Sequence, residues 1–120
     1  MKTYLMEDDS SASLLSLDER DGRLEGTILE ATWSAGMPFE ATGYVGGYVH
    51  DGRLSILVVS NPGSPDFTFA SEGSIDDQKV VLTRGGTDGT QGSVVFRRGS
   101  REDYRMALAR IAARAASKQG

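Results

Sequence analysis

The chain has 120 residues, a formal net charge of −4, and 38% hydrophobic and 25% charged residues, a composition typical of one globular domain. It contains no cysteine, which excludes disulfides, thiolate catalysis and cysteine-ligated zinc. No segment approaches the roughly 20 apolar residues of a membrane-spanning helix, and the first residues lack the apolar run of a secretory signal. A cytoplasmic protein that does not bind membranes is therefore expected.

Repeated turn motifs in the first part of the sequence predict hairpins. Residues 1–10 are expected to form a loose arm, because acids and serines crowd its end. A short apolar run at residues 13–17 predicts a strand. The tetrapeptide Asp-Gly-Arg-Leu then begins at Asp21 and recurs at Asp51. Asp-Gly between alternating segments is typical of a type I′ hairpin turn, which needs positive φ at both central residues, so residues 12–98 are predicted to form an antiparallel up-and-down meander.

A long strand is predicted at residues 39–49, where apolar and polar side chains alternate. Tyr44 and Tyr48 lie on the same face of this strand, and each joins an apolar ring to a hydrogen-bonding tip. Three glycines within residues 43–47 predict a bulge, a strong bend, or a place where another backbone or a ligand comes close. We therefore take the two tyrosines as candidate ligand-binding residues.

The next predicted strand, residues 54–59, is almost entirely apolar. Such a strand is typical of one that is buried on both faces, or covered by a helix or a second subunit. Leu57 and Val59 are therefore candidate residues of a subunit interface. Further short strands are predicted before residue 98.

A helix is predicted at residues 100–116. Ser100 with Asp103 is typical of a polar helix N-cap followed by an acid in the first turn. Tyr104, Leu108 and Ile111 fall on one stripe of a 3.6-residue period, so the helix is expected to pack along a sheet or to close a barrel end.

Charge is distributed unevenly along the chain. Residues 1–93 hold 15 acids and 6 bases, whereas residues 94–120 hold 2 acids and 7 bases. The basic segment could lie on the acidic body of its own or a neighbouring chain, or meet an anionic partner. Binding of nucleic acid is not predicted, because the body is acidic and no aromatic residues interleave with the arginines.

Together these elements predict a single all-β domain over residues 1–120 with one C-terminal helix. Because an open meander leaves two edges exposed, a closed barrel or barrel-like sheet is favoured. An open curved sheet that wraps the helix, or a β-sandwich, remains an alternative.

The order of hairpins resembles the avidin family of eight-stranded up-and-down barrels that bind biotin. Residues 21–27, DGRLEGT, resemble the early D-G-x-L-x-G-T hairpin of that family, and residues 39–49 resemble its long third strand. Residues 67–75 and 79–83 resemble its later strands. The resemblance covers residues 12–98 and implies a similar barrel; small ligand-binding barrels such as lipocalins share much of the pattern.

The biotin-binding residues of the avidin family do not carry over to this chain. That family holds biotin with several tryptophans and a set of Asn, Ser, Thr and Tyr side chains, whereas Trp33 is the single tryptophan here. Met6 and Asp8 stand nearest to the positions where the family places an aromatic and an Asn on its first strand. The C-terminal helix is also outside the family's pattern. The resemblance therefore implies the barrel without its biotin site.

No catalytic, metal or cofactor motif is found. His50, the single histidine, lies beside Asp51 at a predicted turn, where a surface position is expected. The carboxylate runs do not match the spacing of an EF-hand, and the glycine runs lack the Lys-Ser/Thr of a phosphate loop. A non-catalytic protein without a cofactor is predicted.

Two functions are predicted. The first is a small binding module with a small-molecule ligand near Trp33, Tyr44 and Tyr48. The second is an assembly protein that forms a homo-oligomer through Leu57 and Val59.

Overall fold

A computed structural model describes residues 1–34, 37–59, 68–85 and 91–119. Eight strands precede one helix: β1 (Lys2–Glu7), β2 (Ser11–Arg20), β3 (Arg23–Ser34), β4 (Met37–His50), β5 (Arg53–Val59), β6 (Thr68–Ile75), β7 (Lys79–Gly85), β8 (Gln91–Arg98) and α1 (Arg101–Gln119). The predicted β-meander and C-terminal helix are confirmed, although α1 extends beyond the predicted end at residue 116.

The eight strands form a closed antiparallel barrel in sequence order. Closure depends on β1, which pairs with β2 along its whole length and with β8 through Tyr4–Arg98 and Leu5–Arg97. The expectation that residues 1–10 form a loose arm is thus wrong for Lys2–Glu7. Tyr4 of β1 is fully buried in the core. Of the acids and serines that suggested an arm, Glu7 ends β1, and Asp8, Asp9 and Ser10 form the turn into β2.

Apolar side chains fill the described interior of the barrel. The strand alternation points every second residue inward. The resulting cluster contains Tyr4, Leu15, Leu17, Leu24, Ile28, Val45, Leu54, Ile56, Val58, Val80, Leu82 and Phe96. Three inward positions carry glycine because a neighbouring strand passes too close for a side chain. A Cβ at Gly26 or Gly73 would lie 1.7 Å from a backbone oxygen, and one at Gly47 would lie 2.1 Å from another.

The turns that join β2 to β3 and β4 to β5 have the predicted backbone. Asp21 and Gly22 have φ values of 53° and 81°, and Asp51 and Gly52 have values of 51° and 77°. Positive φ at both central residues is the requirement of a type I′ turn. The turn from β6 to β7 lies at the same end of the barrel, which we call the turn end.

The helix α1 begins with a reciprocal capping box. The Asp103 amide donates to Ser100 Oγ over 3.1 Å, and the Ser100 amide donates to Asp103 Oδ2 over 2.8 Å. These bonds to Ser100 hold the pKa of Asp103 below its usual value. The helix therefore starts at a defined point just after β8.

The helix packs along the outer wall of the barrel, against β1, β2 and β3. A second apolar cluster lies between them, formed by Ala12, Leu14, Tyr104, Ala107 and Ile111. At its far end, the Arg110 guanidinium donates to both oxygens of Glu7, at 3.1 and 2.6 Å, and holds the pKa of Glu7 below its usual value. Arg114 donates to the Asp8 carbonyl at 3.1 Å. Two arginines of the basic segment thus contact the acidic body of their own chain.

Within the part of the chain that the structure describes, no helix has the length and apolar character needed to cross a membrane.

Candidate binding surface

The outer wall formed by β4 and β5 carries most of the candidate residues named from the sequence. Tyr44 pairs with Val59 across the two strands, Gly46 pairs with Leu57, and Tyr48 pairs with Ser55. Because the pairing register runs without interruption through the glycine-rich part of β4, there is no bulge in β4. Two of the three predicted ligand residues, Tyr44 and Tyr48, therefore lie on one continuous surface with the predicted interface residues. We call Tyr44, Gly46, Tyr48, Leu57 and Val59 the β4–β5 patch.

Three side chains of the β4–β5 patch are exposed to solvent, whereas Val59 is half-buried. Tyr44, Tyr48 and Leu57 are 51%, 65% and 46% exposed, respectively. The helix packs on β1 to β3 rather than on this part of the wall. The sequence predicted that β5 is covered on both faces. In the structure its inner face is buried through Leu54, Ile56 and Val58, and its outer face is not.

A groove runs over Gly46 at the centre of the β4–β5 patch. A Cβ placed on Gly46 would meet no atom of the described residues within 4 Å, so these residues leave the space above it open. Tyr44 and Tyr48 stand on either side of it along β4, and Leu57 stands beside it on β5. The groove has a volume of about 890 Å³ and continues over Thr27 of β3 and Ala70 of β6. The surface thus offers a projecting apolar side chain, Leu57, and next to it the open space over Gly46, which we call the slot.

Charged residues of both signs surround the β4–β5 patch. Arg23 and Glu25 lie on β3 beside Tyr48 and Gly46. Arg53 lies on β5, and Glu72 lies on β6 next to Ser55. All four residues are exposed. Asp18 also lines the groove, so the described rim carries two cations and three anions, and this mixture favours neither a strongly anionic nor a strongly cationic partner.

The third predicted ligand residue, Trp33, lies apart from the two tyrosines. It pairs with Pro38 and is half-buried in the cluster under α1, near Leu14 and Ile111. Its position is set by packing against the helix, which the sequence did not place on this wall. Trp33 therefore does not belong to the β4–β5 patch.

The single histidine lies at the edge of the β4–β5 patch, because His50 follows Tyr48 on the same face of β4 and pairs with Arg53. The His50 imidazole lies at the turn end, 3.3 Å from Asp51 Oδ2, and both side chains are about nine-tenths exposed. Among the residues with described positions, no three His, Asp or Glu side chains are close enough together to hold a metal ion. What the surface offers is apolar and aromatic contact area with a polar rim, which suits binding.

Comparisons with models of protein families, with curated proteins and with solved structures gave no match for this chain. The eight-stranded barrel agrees with the fold that the avidin resemblance implied, while the relationship itself stays a prediction.

Proposed function

We propose that this protein is a non-catalytic binding module that acts through the β4–β5 patch, and that the patch joins two copies of the chain. The observation that carries the proposal is the open slot over Gly46 beside the exposed Leu57. In a two-fold contact, residue i of one copy meets residue j of the other, and j meets i. In such a contact, Leu57 of each copy would enter the slot over Gly46 of the other copy.

The side chains of the patch are of the kinds that stabilise such contacts. Tyrosines supply large, stiff, amphipathic surfaces and are enriched at the centre of protein interfaces. Monomeric proteins rarely leave a continuous apolar surface uncovered. Burial of Leu57 between Tyr44 and Tyr48 of a second copy would remove this apolar surface from water.

The presence of both charge signs on the rim supports a second copy as the partner. A two-fold rotation exchanges equivalent positions, so it can place Arg23 or Arg53 of one copy near Glu25 or Glu72 of the other. Complementary rim charges select the partner and its orientation more than they add affinity. A nucleic acid would instead require a surplus of positive charge, which this rim lacks.

The test compares two substitutions by sedimentation velocity at about 50 μM protein, above the micromolar dissociation constant expected for a small interface. We expect the unmodified protein to be a dimer and Leu57→Asp to be a monomer, because a carboxylate in the slot would be buried without a partner. Val95→Asp is the matched control, since Val95 is an exposed apolar strand residue, 37% accessible, on the distant β8 wall. It should leave the dimer intact. A monomeric unmodified protein, or a dimer that survives Leu57→Asp, would contradict the proposal.

A further inference from the structure

A second concave site lies at the turn end of the barrel, inside its mouth. It is a cavity of about 440 Å³, which we call the mouth cavity. Its floor is apolar, because Leu17, Leu24, Val49 and Ile75 point inward at this end of their strands and pack on the core. Val49 and Ile75 are only half-buried, so the floor is open to a molecule that enters from the mouth.

The walls of the mouth cavity are strongly acidic. In the described part of the chain, the charged side chains that line it are five carboxylates and one ammonium group: Asp18, Glu19, Asp51, Asp76, Asp77 and Lys2. These groups come together because the β2–β3, β4–β5 and β6–β7 turns lie at the same end of the barrel. Lys2 forms an ion pair with Asp77, and Arg20 lies 3.7 Å from Asp18 Oδ2, so three of the five carboxylates, Glu19, Asp51 and Asp76, lie outside these two pairs.

Two of these acids are held in their charged form. The backbone amides of Gln78 and Lys79 donate to Asp76 Oδ1 and lower the pKa of Asp76, and the Lys2 ammonium lowers the pKa of Asp77. The described acids nevertheless do not converge into a group of three that could bind one metal ion. The charge is thus spread around the entrance above an apolar floor.

We propose that the mouth cavity binds a small organic cation with an apolar body. The apolar part would lie on Leu24, Val49 and Ile75, and the cationic group would stay at the entrance among the carboxylates. The volume is within the range of sites that hold small ligands, and the mouth of a β-barrel is a common place for them. An anion would be repelled at this entrance, and a neutral molecule would gain only the contact with the floor.

The test uses three probes that share one apolar body: 4-phenylbutylammonium, 4-phenylbutanol and 4-phenylbutyrate. Binding to the full-length chain is followed by ¹H–¹⁵N chemical shifts. We expect the ammonium probe to bind about tenfold more tightly than the alcohol, the carboxylate probe to bind weakest, and the largest shifts at the amides of Leu24, Val49 and Ile75. Shifts centred on Tyr44 and Tyr48 would place binding on the outer wall and overturn the proposal.

Matched variants test the role of the acidic entrance. In the double variant Glu19→Gln, Asp51→Asn, the ammonium probe should lose its advantage over the alcohol, while the alcohol binds as before. Asn is well accepted at the positive φ of residue 51, so the turn should be kept. Asp9→Asn removes an exposed acid at the other end of the barrel and should change nothing. Equal binding of all three probes, no binding of the ammonium probe, or an equal effect of the control variant would refute the proposal.

Discussion

Two aspartates, Asp21 and Asp51, adopt positive φ in this structure, and each is followed by a glycine that does the same. For a residue with a side chain this conformation costs about 1–2 kcal/mol, and aspartate and asparagine are the residues that tolerate it best. These four residues fix where β2, β3, β4 and β5 turn. They also set the strand register, because a slip of one residue would point every core side chain outward.

Gly22→Ala is expected to destabilise the protein by about 1–2 kcal/mol, since alanine resists the positive φ that the turn requires. The added Cβ would also lie 3.2 Å from the Val49 carbonyl oxygen. The free energy of unfolding in urea measures the effect. Asp21→Asn is the control and should change this free energy by less than about 0.5 kcal/mol. A Gly22→Ala variant as stable as the unmodified protein would show that the turn is not held in this conformation.

The helix α1 is attached to the barrel at its start by the capping box and along its length by the apolar cluster. Ile111 is 1% exposed and contacts this cluster. Ile111→Ala should cost about 2–4 kcal/mol in the free energy of unfolding, because it removes buried methyl groups and leaves a cavity. The matched control Met106→Ala, at an exposed position of the same helix, should cost less than about 0.5 kcal/mol. Equal effects would mean that α1 does not pack as described.

The capping box also predicts a dependence on pH. Because the pKa of Asp103 is lowered in the folded protein, its contribution to stability is complete above the ordinary value of 3.8 and is lost as the pH falls through the lowered value. Asp103→Asn should therefore reduce stability at neutral pH, and the difference from the unmodified protein should shrink as the pH falls below the ordinary range of an aspartate. Urea unfolding at a series of pH values measures this. A difference that stays constant with pH would contradict the ionised cap.

The local elements were predictable from the sequence because their causes are local. Asp-Gly pairs, two-residue alternation and the polar start at Ser100 indicate hairpins, strands and a helix within a few residues of where they act. The pairing of β1 with β8 was not predictable in this way, because it joins residues 4 and 98, which are far apart in sequence. The wall on which α1 packs depends on the same distant contacts, and for this reason Trp33 was expected near the tyrosines.

At the scale of the whole molecule, most apolar side chains of the described residues fall into three sets. One set fills the interior, one lies under α1, and one is left on the outer wall at β4 and β5. The alternation of β4 and β5 predicted which of their side chains share a face. The slot over Gly46 could not be predicted without the strand register, because the pairing of Gly46 with Leu57 is what places the open space beside the projecting side chain.

Gly46→Leu should separate assembly from folding. The new side chain meets no atom of the described residues near its Cβ, so the free energy of unfolding of the monomer should be unchanged or higher. It would occupy the slot that receives Leu57 of the second copy, so the dimer dissociation constant should rise at least about tenfold. Sedimentation at several concentrations measures that constant. A Gly46→Leu variant that dimerises as tightly as the unmodified protein would show that the slot is not part of the contact.

The most direct measurement of the central claim is the mass of the unmodified protein in solution by multi-angle light scattering, across a tenfold range of concentration in the micromolar region. Self-association through the β4–β5 patch predicts a mass that approaches twice the 12.9 kDa of the chain as concentration rises. A mass that stays at 12.9 kDa throughout would contradict it.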